Sequence, residues 1–152
     1  SVCCQYIKDI HHAEDVMITG FMKVFTNLKN FEHKGSFEGW IRRIMVYECI
    51  DFLRVKKNNF NHQDIEDVTI SENESVYEME DFSVDDIQNM IDNLPDGYKM
   101  VFNLYAIEGY KHQEIAEMLK ISEGTSKSQL SHARKLLQQQ ITDLKNKLNG
   151  TK

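Results

Sequence analysis

The stretch Ile115–Leu137, IAEMLKISEGTSKSQLSHARKLL, restricts the fold more than any other part of the chain. Ile115, Ala116 and Leu119 predict a short helix with one apolar stripe. Lys120, Ile121 and Ser122 form a break, and the Ser122 hydroxyl suits the N-cap of the helix that follows. That second helix buries Leu130, Ala133 and Leu137, three and four residues apart. Its other side carries Thr125, Ser128, Gln129, His132 and Lys135. Hydroxyls, an amide, an imidazole and a cation on the outside of a short helix suit a DNA major groove. The same helix–turn–helix geometry also occurs in bundles that bind nothing, so periodicity alone leaves both readings open.

The rest of the chain extends this pattern. Long stretches show helical periodicity and none shows sustained strand alternation; one proline and seven glycines also argue against a turn-rich β protein. The expected class is all-α: two small helical domains joined by an acidic linker, the second a four-helix domain ending in the helix–turn–helix. At 152 residues with 41% apolar content, the chain can build such cores. No run of eighteen apolar residues predicts a membrane insertion, and no secretory signal pattern opens the chain. Cys3, Cys4 and Cys49 form no disulfide framework, which fits a reducing cytoplasm. The six histidines show no metal-ligand spacing, and His11-His12 reads as solvated. No nucleophile–base pairing or phosphate loop is present, so neither catalytic residues nor a cofactor are expected.

Residues 2–10 read as the tail of an apolar helix. A second helix is expected from about Ala13 to Leu28, with Met17, Phe21, Val24 and Leu28 facing the core and Glu14 and Asp15 in its first turn. Gly20 inside it costs about 1 kcal/mol relative to alanine and marks a close contact. After a loop over Asn30–Gly39, Ser36 can cap a helix to about Arg54 or Lys56. Phe37, Trp40, Ile41, Ile44, Met45 and Phe52 are its expected core, and Arg42, Arg43, Arg54, Lys56 and Lys57 lie outside. Phe31, Phe37 and Trp40 either close a three-helix core or receive unstacked bases, with the arginines on phosphates. Later helices are expected over Val84–Leu94 and Tyr98–Ile107, with Pro95-Asp96-Gly97 between them and Gly109 as a C-terminal cap; the last helix extends to about Leu148.

Charge is unevenly spread. Residues 1–54 and 84–152 are each neutral overall, whereas 55–83 hold Lys56 and Lys57 against eight acids, the whole net charge of −6. An acidic segment set apart in this way does not exclude nucleic-acid binding by the flanking domains. Its composition suits a partly disordered linker.

AEDVMITGFMKVFTNL with GSFEGWIRRIMVYECIDFLR resembles region 2 of bacterial extracytoplasmic-function sigma factors, the small promoter-specificity subunits of RNA polymerase. LPDGYKMVFNLYAIEGYKHQEIAEMLKISEGTSKSQLSHARKLL resembles region 4 of the same family. The resemblance covers roughly residues 2–56 and 84–140. It implies a region 2 domain over 1–56, a linker over 57–83 and a region 4 domain over 84–152. Because the chain opens at Ser1 without an initiator methionine, the resemblance also implies a further region 2 helix ahead of it.

The resemblance further implies a division of labour. Region 2 would bind the clamp helices of core polymerase and open the −10 element, region 4 would read the −35 element and touch the polymerase flap, and the polymerase would do the chemistry. Carried over residue by residue, Ser128, Ser131 and His132 are candidates for base edges, and Thr125, Lys127, Gln129 and Lys135 for phosphates. For the −10 element the candidates are Phe31, Ser36, Phe37, Trp40, Arg43 and Tyr47. Asp15, Ile18, Thr19 and Phe21 are candidates for polymerase. Gln129 and His132 stand where arginine is common in the family, Tyr47 where asparagine is, and Met17-Ile18-Thr19 where a glutamine and an acid are usual. The implied partners are core RNA polymerase, promoter DNA and an anti-sigma factor, membrane-tethered in many members; the implied location is cytoplasmic.

Overall fold

Small residues, rather than large ones, mark the inward face of the helix over Ile10–Thr26. The computed structural model describes residues 1–58 and 82–150, the side chains of 57 and 58 excepted. The expected partly disordered linker over 57–83 lies almost wholly outside the described residues, as does the side chain of Lys57. The described residues are helical, without a strand, and form two units, Ser1–Asp64 and Ile65–Lys152.

In the first unit, α1 (Val2–Tyr6), α2 (Ile10–Thr26) and α3 (Phe37–Asn58) pack together. The opening helix stops at Tyr6 instead of continuing to residue 10, because Ile7 is extended. α2 therefore starts earlier than Ala13. The Asp9 carboxylate accepts the His12 N–H at 3.0 Å as its N-cap, which holds that carboxyl below its ordinary range. Glu14 and Asp15 consequently fall beyond the first turn.

The expected core face of α2 is corrected. Ala13, Val16, Gly20 and Val24 are buried, whereas Met17, Phe21 and Leu28 are 38%, 42% and 47% exposed. The cause is the approach to α3: a Cβ at Gly20 would collide with the Met45 sulfur and lie 3.7 Å from Glu48 Cγ. Gly20 does mark a close contact, as its position in the sequence suggests. The core of α3 is likewise Met45, Val46, Cys49 and Ile50, with Phe37 45% exposed. Ser36 caps α3 by accepting the Gly39 N–H at 2.9 Å.

In the second unit, α4 (Val84–Asp92) is closed by a capping box: Ser83 Oγ accepts the Asp86 N–H and the Asp86 carboxylate accepts the Ser83 N–H, each at 3.1 Å. Pro95 precedes α5 (Asp96–Phe102). The expected helix to Ile107 instead loosens into a π-turn over Asn103–Ile107. Gly109, at φ 78°, ends it, and the Tyr110 N–H donates to the Leu104 carbonyl at 3.0 Å. Buried Lys99 is neutralised by Asp92 at 3.2 Å, and Asp92 also accepts from Gln88 Nε2 at 3.1 Å. A buried ammonium without such a partner would be costly.

α6 (His112–Leu119) and α7 (Glu123–Gly150) form the helix–turn–helix. Lys120 adopts the left-handed conformation (φ 55°, ψ 47°) and reverses the chain. Ser122 Oγ accepts the Thr125 N–H at 3.0 Å, as expected of an N-cap. Ile115, Met118, Leu130 and Ala133 are buried between the helices and α5. A polar tie joins the two helices. Ser126 is fully buried and its Oγ lies 2.9 Å from His112 Nδ1, while the imidazole stacks on Tyr105 with centroids 4.6 Å apart. Partial desolvation, then the positive charge of Lys127, lowers the His112 pKa from its ordinary 6.5; Glu123 opposes this and Arg134 adds to it.

Two outcomes are expected from unfolding measurements. Gly20→Ala gains helix propensity but overpacks the α2–α3 contact, so the first unit loses about 1–3 kcal/mol net of that gain. Met45→Ala, costly by itself, should be less costly in the Gly20→Ala background, which a double-mutant cycle reads directly. For His112, the unfolded imidazole protonates near pH 6.5 and the folded one only at lower pH. Stability of the second unit is therefore complete above pH 6.5 and declines as pH falls through that value. His112→Gln should flatten the pH 5–7 portion of the stability profile.

Candidate nucleic-acid interface

Inward packing of α7 determines which of its side chains can meet a ligand. Ser126, Leu130, His132 and Ala133 are buried. His132 is only 9% exposed and stacks on Tyr98 of α5, centroids 5.4 Å apart at 20°. Its expected place on the outer face is corrected: the ring faces α5. Gln129 is half-buried over Gly97, where an added Cβ would lie 3.4 Å from its Oε1. Thr125 is half-buried, with its hydroxyl 2.8 Å from Ser122 Oγ at the cap.

The outward face is instead Lys127, Ser128, Ser131, Arg134 and Lys135, spaced i, i+1, i+4, i+7 and i+8; all are exposed except half-buried Ser131. Lys127 pairs with Glu123 at 3.3 Å, an exposed i,i+4 contact that a phosphate can replace at little cost. Ser128 Oγ donates back to the Thr125 carbonyl at 3.1 Å. Arg134, which sequence reasoning missed, lies with its guanidinium 5.8 Å from the Tyr105 centroid. Its seven-residue spacing from Lys127 was the available signal. Three cations around two serines can hold phosphates while small hydroxyls approach base edges.

In the first unit, the 3₁₀ turn Leu28–Asn30 and the loop to Ser36 carry an aromatic cluster. Phe31 lies 5.3 Å from both Phe37 and Trp40, and Phe37 stacks on Trp40 at 5.8 Å and 22°. Phe31 and Trp40 are half-buried and Phe37 is exposed, so the cluster sits at the surface rather than closing the core. Trp40, Arg43 and Tyr47 line one open cleft of about 410 Å³, with the Arg43 guanidinium 5.8 Å from the Tyr47 centroid. Ile44, expected in the core, also lines it, and Lys23, Asn27, Asn30, Glu48 and Asp51, which were not singled out from sequence, complete the lining. Lys23 and Glu48 are ion-paired across α2 and α3, and Glu48 is buried. A carboxylate in the inward phase of α3 was the sequence signal for that pair. Ser36 is engaged at its cap.

Asp15, Ile18, Thr19 and Phe21 all lie on exposed parts of α2. Thr19 turns its hydroxyl back to the Asp15 carbonyl at 3.1 Å. Ile18 (55% exposed) and Phe21 belong to a larger apolar stripe with Met22 (65%) and Phe25 (75%). Contiguous exposed apolar surface of this kind marks an interaction site. Met22 and Phe25 were missed because the helix is apolar on two faces, and only one was expected. Among the described residues, no group of three or more His, Cys, Asp or Glu side chains is disposed to hold a metal, and no helix is long and apolar enough to cross a membrane.

Comparison with known proteins accounts for both units. Residues 1–59 match the family model described as Sigma-70 region 2, and residues 84–137 match Sigma-70, region 4. The chain is 31% identical to the ECF RNA polymerase sigma factor SigW of Bacillus subtilis, over 94% of this chain and 82% of that protein. It is 29% identical to the RNA polymerase sigma factor SigV of the same organism, over 90% and 80%. Among solved structures, the sigma factor RpoE of Bartonella quintana, crystallised in complex with the anti-sigma factor NepR, has a similar fold. Its TM-score is 0.60 at 20% identity, over 93% of this chain and 88% of that one. The helical units, the two region matches in this order and the identity to SigW show that the chain belongs to the ECF family of RNA polymerase sigma factors.

Proposed function

We propose that this sigma factor binds core polymerase through the apolar stripe of α2, receives an unstacked −10 base beside Trp40, Arg43 and Tyr47, and reads the −35 element with α7. A sigma factor is a promoter-specificity subunit rather than an enzyme, and the polymerase performs the chemistry. The observation that carries the reading is the pairing of the two region matches with two different exposed surfaces. The region 2 unit carries a bare apolar stripe beside an aromatic cluster, and the region 4 unit carries a cationic helix face.

Within α7, Lys127, Arg134 and Lys135 take phosphates and Ser128 and Ser131 take base edges; Thr125 and Gln129 are peripheral, and His132 supports the helix through Tyr98. In the first unit, Phe31 and Phe37 back Trp40, Ser36 holds the start of α3, and Arg43 takes a backbone phosphate. Ile18 and Phe21 meet the clamp helices together with Met22 and Phe25, with Asp15 and Thr19 at the rim. This makes the polymerase contact more apolar than the glutamine and acid usual in the family would. The domain reading remains region 2 over 1–56, a linker over 57–83 and region 4 over 84–152. An anti-sigma factor, membrane-tethered as in many members, is the further partner, and the location is the cytoplasm, where polymerase and promoters are.

Run-off transcription with core polymerase on a library of promoters tests the whole reading. Transcripts from a defined subset support it, and stable binding to core without any transcript overturns it. Lys127→Glu and Lys135→Glu should weaken promoter binding about evenly across sequences and lower the salt slope by roughly one each. Ser128→Ala or Ser131→Ala should instead shift −35 preference, by about 1–3 kcal/mol per base contact. A uniform loss from all four would show that phosphates and bases have been wrongly divided. Phe25→Asp should cost core-polymerase affinity about 2 kcal/mol or more while leaving the helical content unchanged, because the side chain is outside the core.

A further inference from the structure

We propose that Cys3 and Cys49 form an oxidisable dithiol, a modification site at which a peroxide-class oxidant closes a disulfide between α1 and α3. The two residues lie 46 positions apart in sequence, on helices that pack together, and both are buried, at 5% and 0% exposure. Their thiols are hydrogen-bonded to each other, so the sulfurs face without intervening atoms. Each burial has an ordinary alternative as a small apolar contact. What distinguishes this pair is its asymmetry and its access.

The Cys49 S–H donates to the Cys3 sulfur, and this hydrogen bond, ahead of an opposing effect of burial, holds the Cys3 thiol down at about 7. Cys49 is pushed up by the same partner and by burial. One member is therefore the nucleophile and the other stays protonated until needed, the arrangement of an attacking and a resolving thiol. Access is through a cleft of about 220 Å³ between the helices, walled by Cys3, exposed Cys4, Ala13, Met17, Ile41 and Met45. Hydrogen peroxide is small enough to enter it, whereas a protein disulfide is not.

The chemistry balances in two steps. The Cys3 thiolate attacks one peroxide oxygen; an S–O bond forms, the O–O bond breaks, and the departing hydroxide is protonated to water. Cys49 then attacks the Cys3 sulfenic sulfur; an S–S bond forms, the S–O bond breaks, and the Cys49 proton leaves with the hydroxide as a second water. Two thiols are oxidised and one peroxide is reduced to two waters. Cys4, on the exposed side of α1, is not consumed.

The test treats the full chain with hydrogen peroxide and maps its thiols by alkylation, proteolysis and mass spectrometry. A linked Cys3–Cys49 peptide pair, one remaining alkylatable thiol at Cys4, and the same link in a Cys4→Ser chain support the site. Closing a loop of this length in the folded chain should also raise the unfolding midpoint on the order of 10 °C, reversed by dithiothreitol. Cys49→Ala should leave a Cys3 sulfenic acid that dimedone traps; the wild-type peptide map decides independently if that variant folds poorly. A Cys3–Cys4 link, intermolecular Cys4 dimers as the main product, or a Cys3–Cys49 link accompanied by a lowered midpoint would each overturn the proposal.

Discussion

Close approach between helices, made possible by small side chains at the contacts, decides which face of each helix is left for partners. In the first unit the approach is at Gly20, where α2 has no Cβ to keep it from Met45 of α3. In the second it is at Ser126 and Ala133 of α7, both fully buried. Bulky residues in these positions would force the helices apart, and the remaining contacts could not compensate, because dispersion falls away over fractions of an ångström. Once Ala13, Val16, Gly20 and Val24 turn inward, Ile18, Phe21, Met22 and Phe25 have no place in the core and form an exposed stripe. Once Ser126, Leu130 and Ala133 turn inward, Lys127, Ser128, Arg134 and Lys135 are carried outward together.

Polar groups stabilise this packing at a few points where an apolar side chain would leave the backbone or a charge unsatisfied. The Ser122 and Ser36 hydroxyls take N–H groups at the starts of the two long helices, α7 and α3. Lys120 accepts a left-handed conformation that costs an L-residue roughly 1–2 kcal/mol, because the reversal lets α7 lie across α6. Lys23–Glu48 and Lys99–Asp92 each offset the desolvation of a buried or half-buried charge. The Tyr98–His132 and Tyr105–His112 stacks, with the Ser126–His112 contact, link α7 to the rest of its unit.

Much of this was legible in the chain itself. Helical period, the absence of strand alternation, the Ser122 break, the Ser36 cap, the Gly109 stop and the close contact at Gly20 all follow from local backbone chemistry. The phase of α2 did not, and in α7 the inward Leu130 and Ala133 were legible whereas the places of His132 and Gln129 were not. Met17, Phe21 and Leu28 are larger and more apolar than Ala13, Val16 and Gly20, so a reading weighted by hydrophobicity turned α2 by about one residue step. Ser126 is polar, yet its hydroxyl is satisfied by His112, and with that partner it can be buried at no net loss. His132 and Gln129, read as solvent-facing, lean on α5 instead.

By itself, then, the sequence determined the helical class, the helix–turn–helix and the resemblance to a two-region sigma factor, because each depends on spacing and residue type within one or two turns. Only the tertiary structure decided which side of each helix faces a partner. That choice rests on complementary shape between segments distant in the chain, such as Gly20 against Met45 and Tyr98 against His132, which local periodicity does not encode.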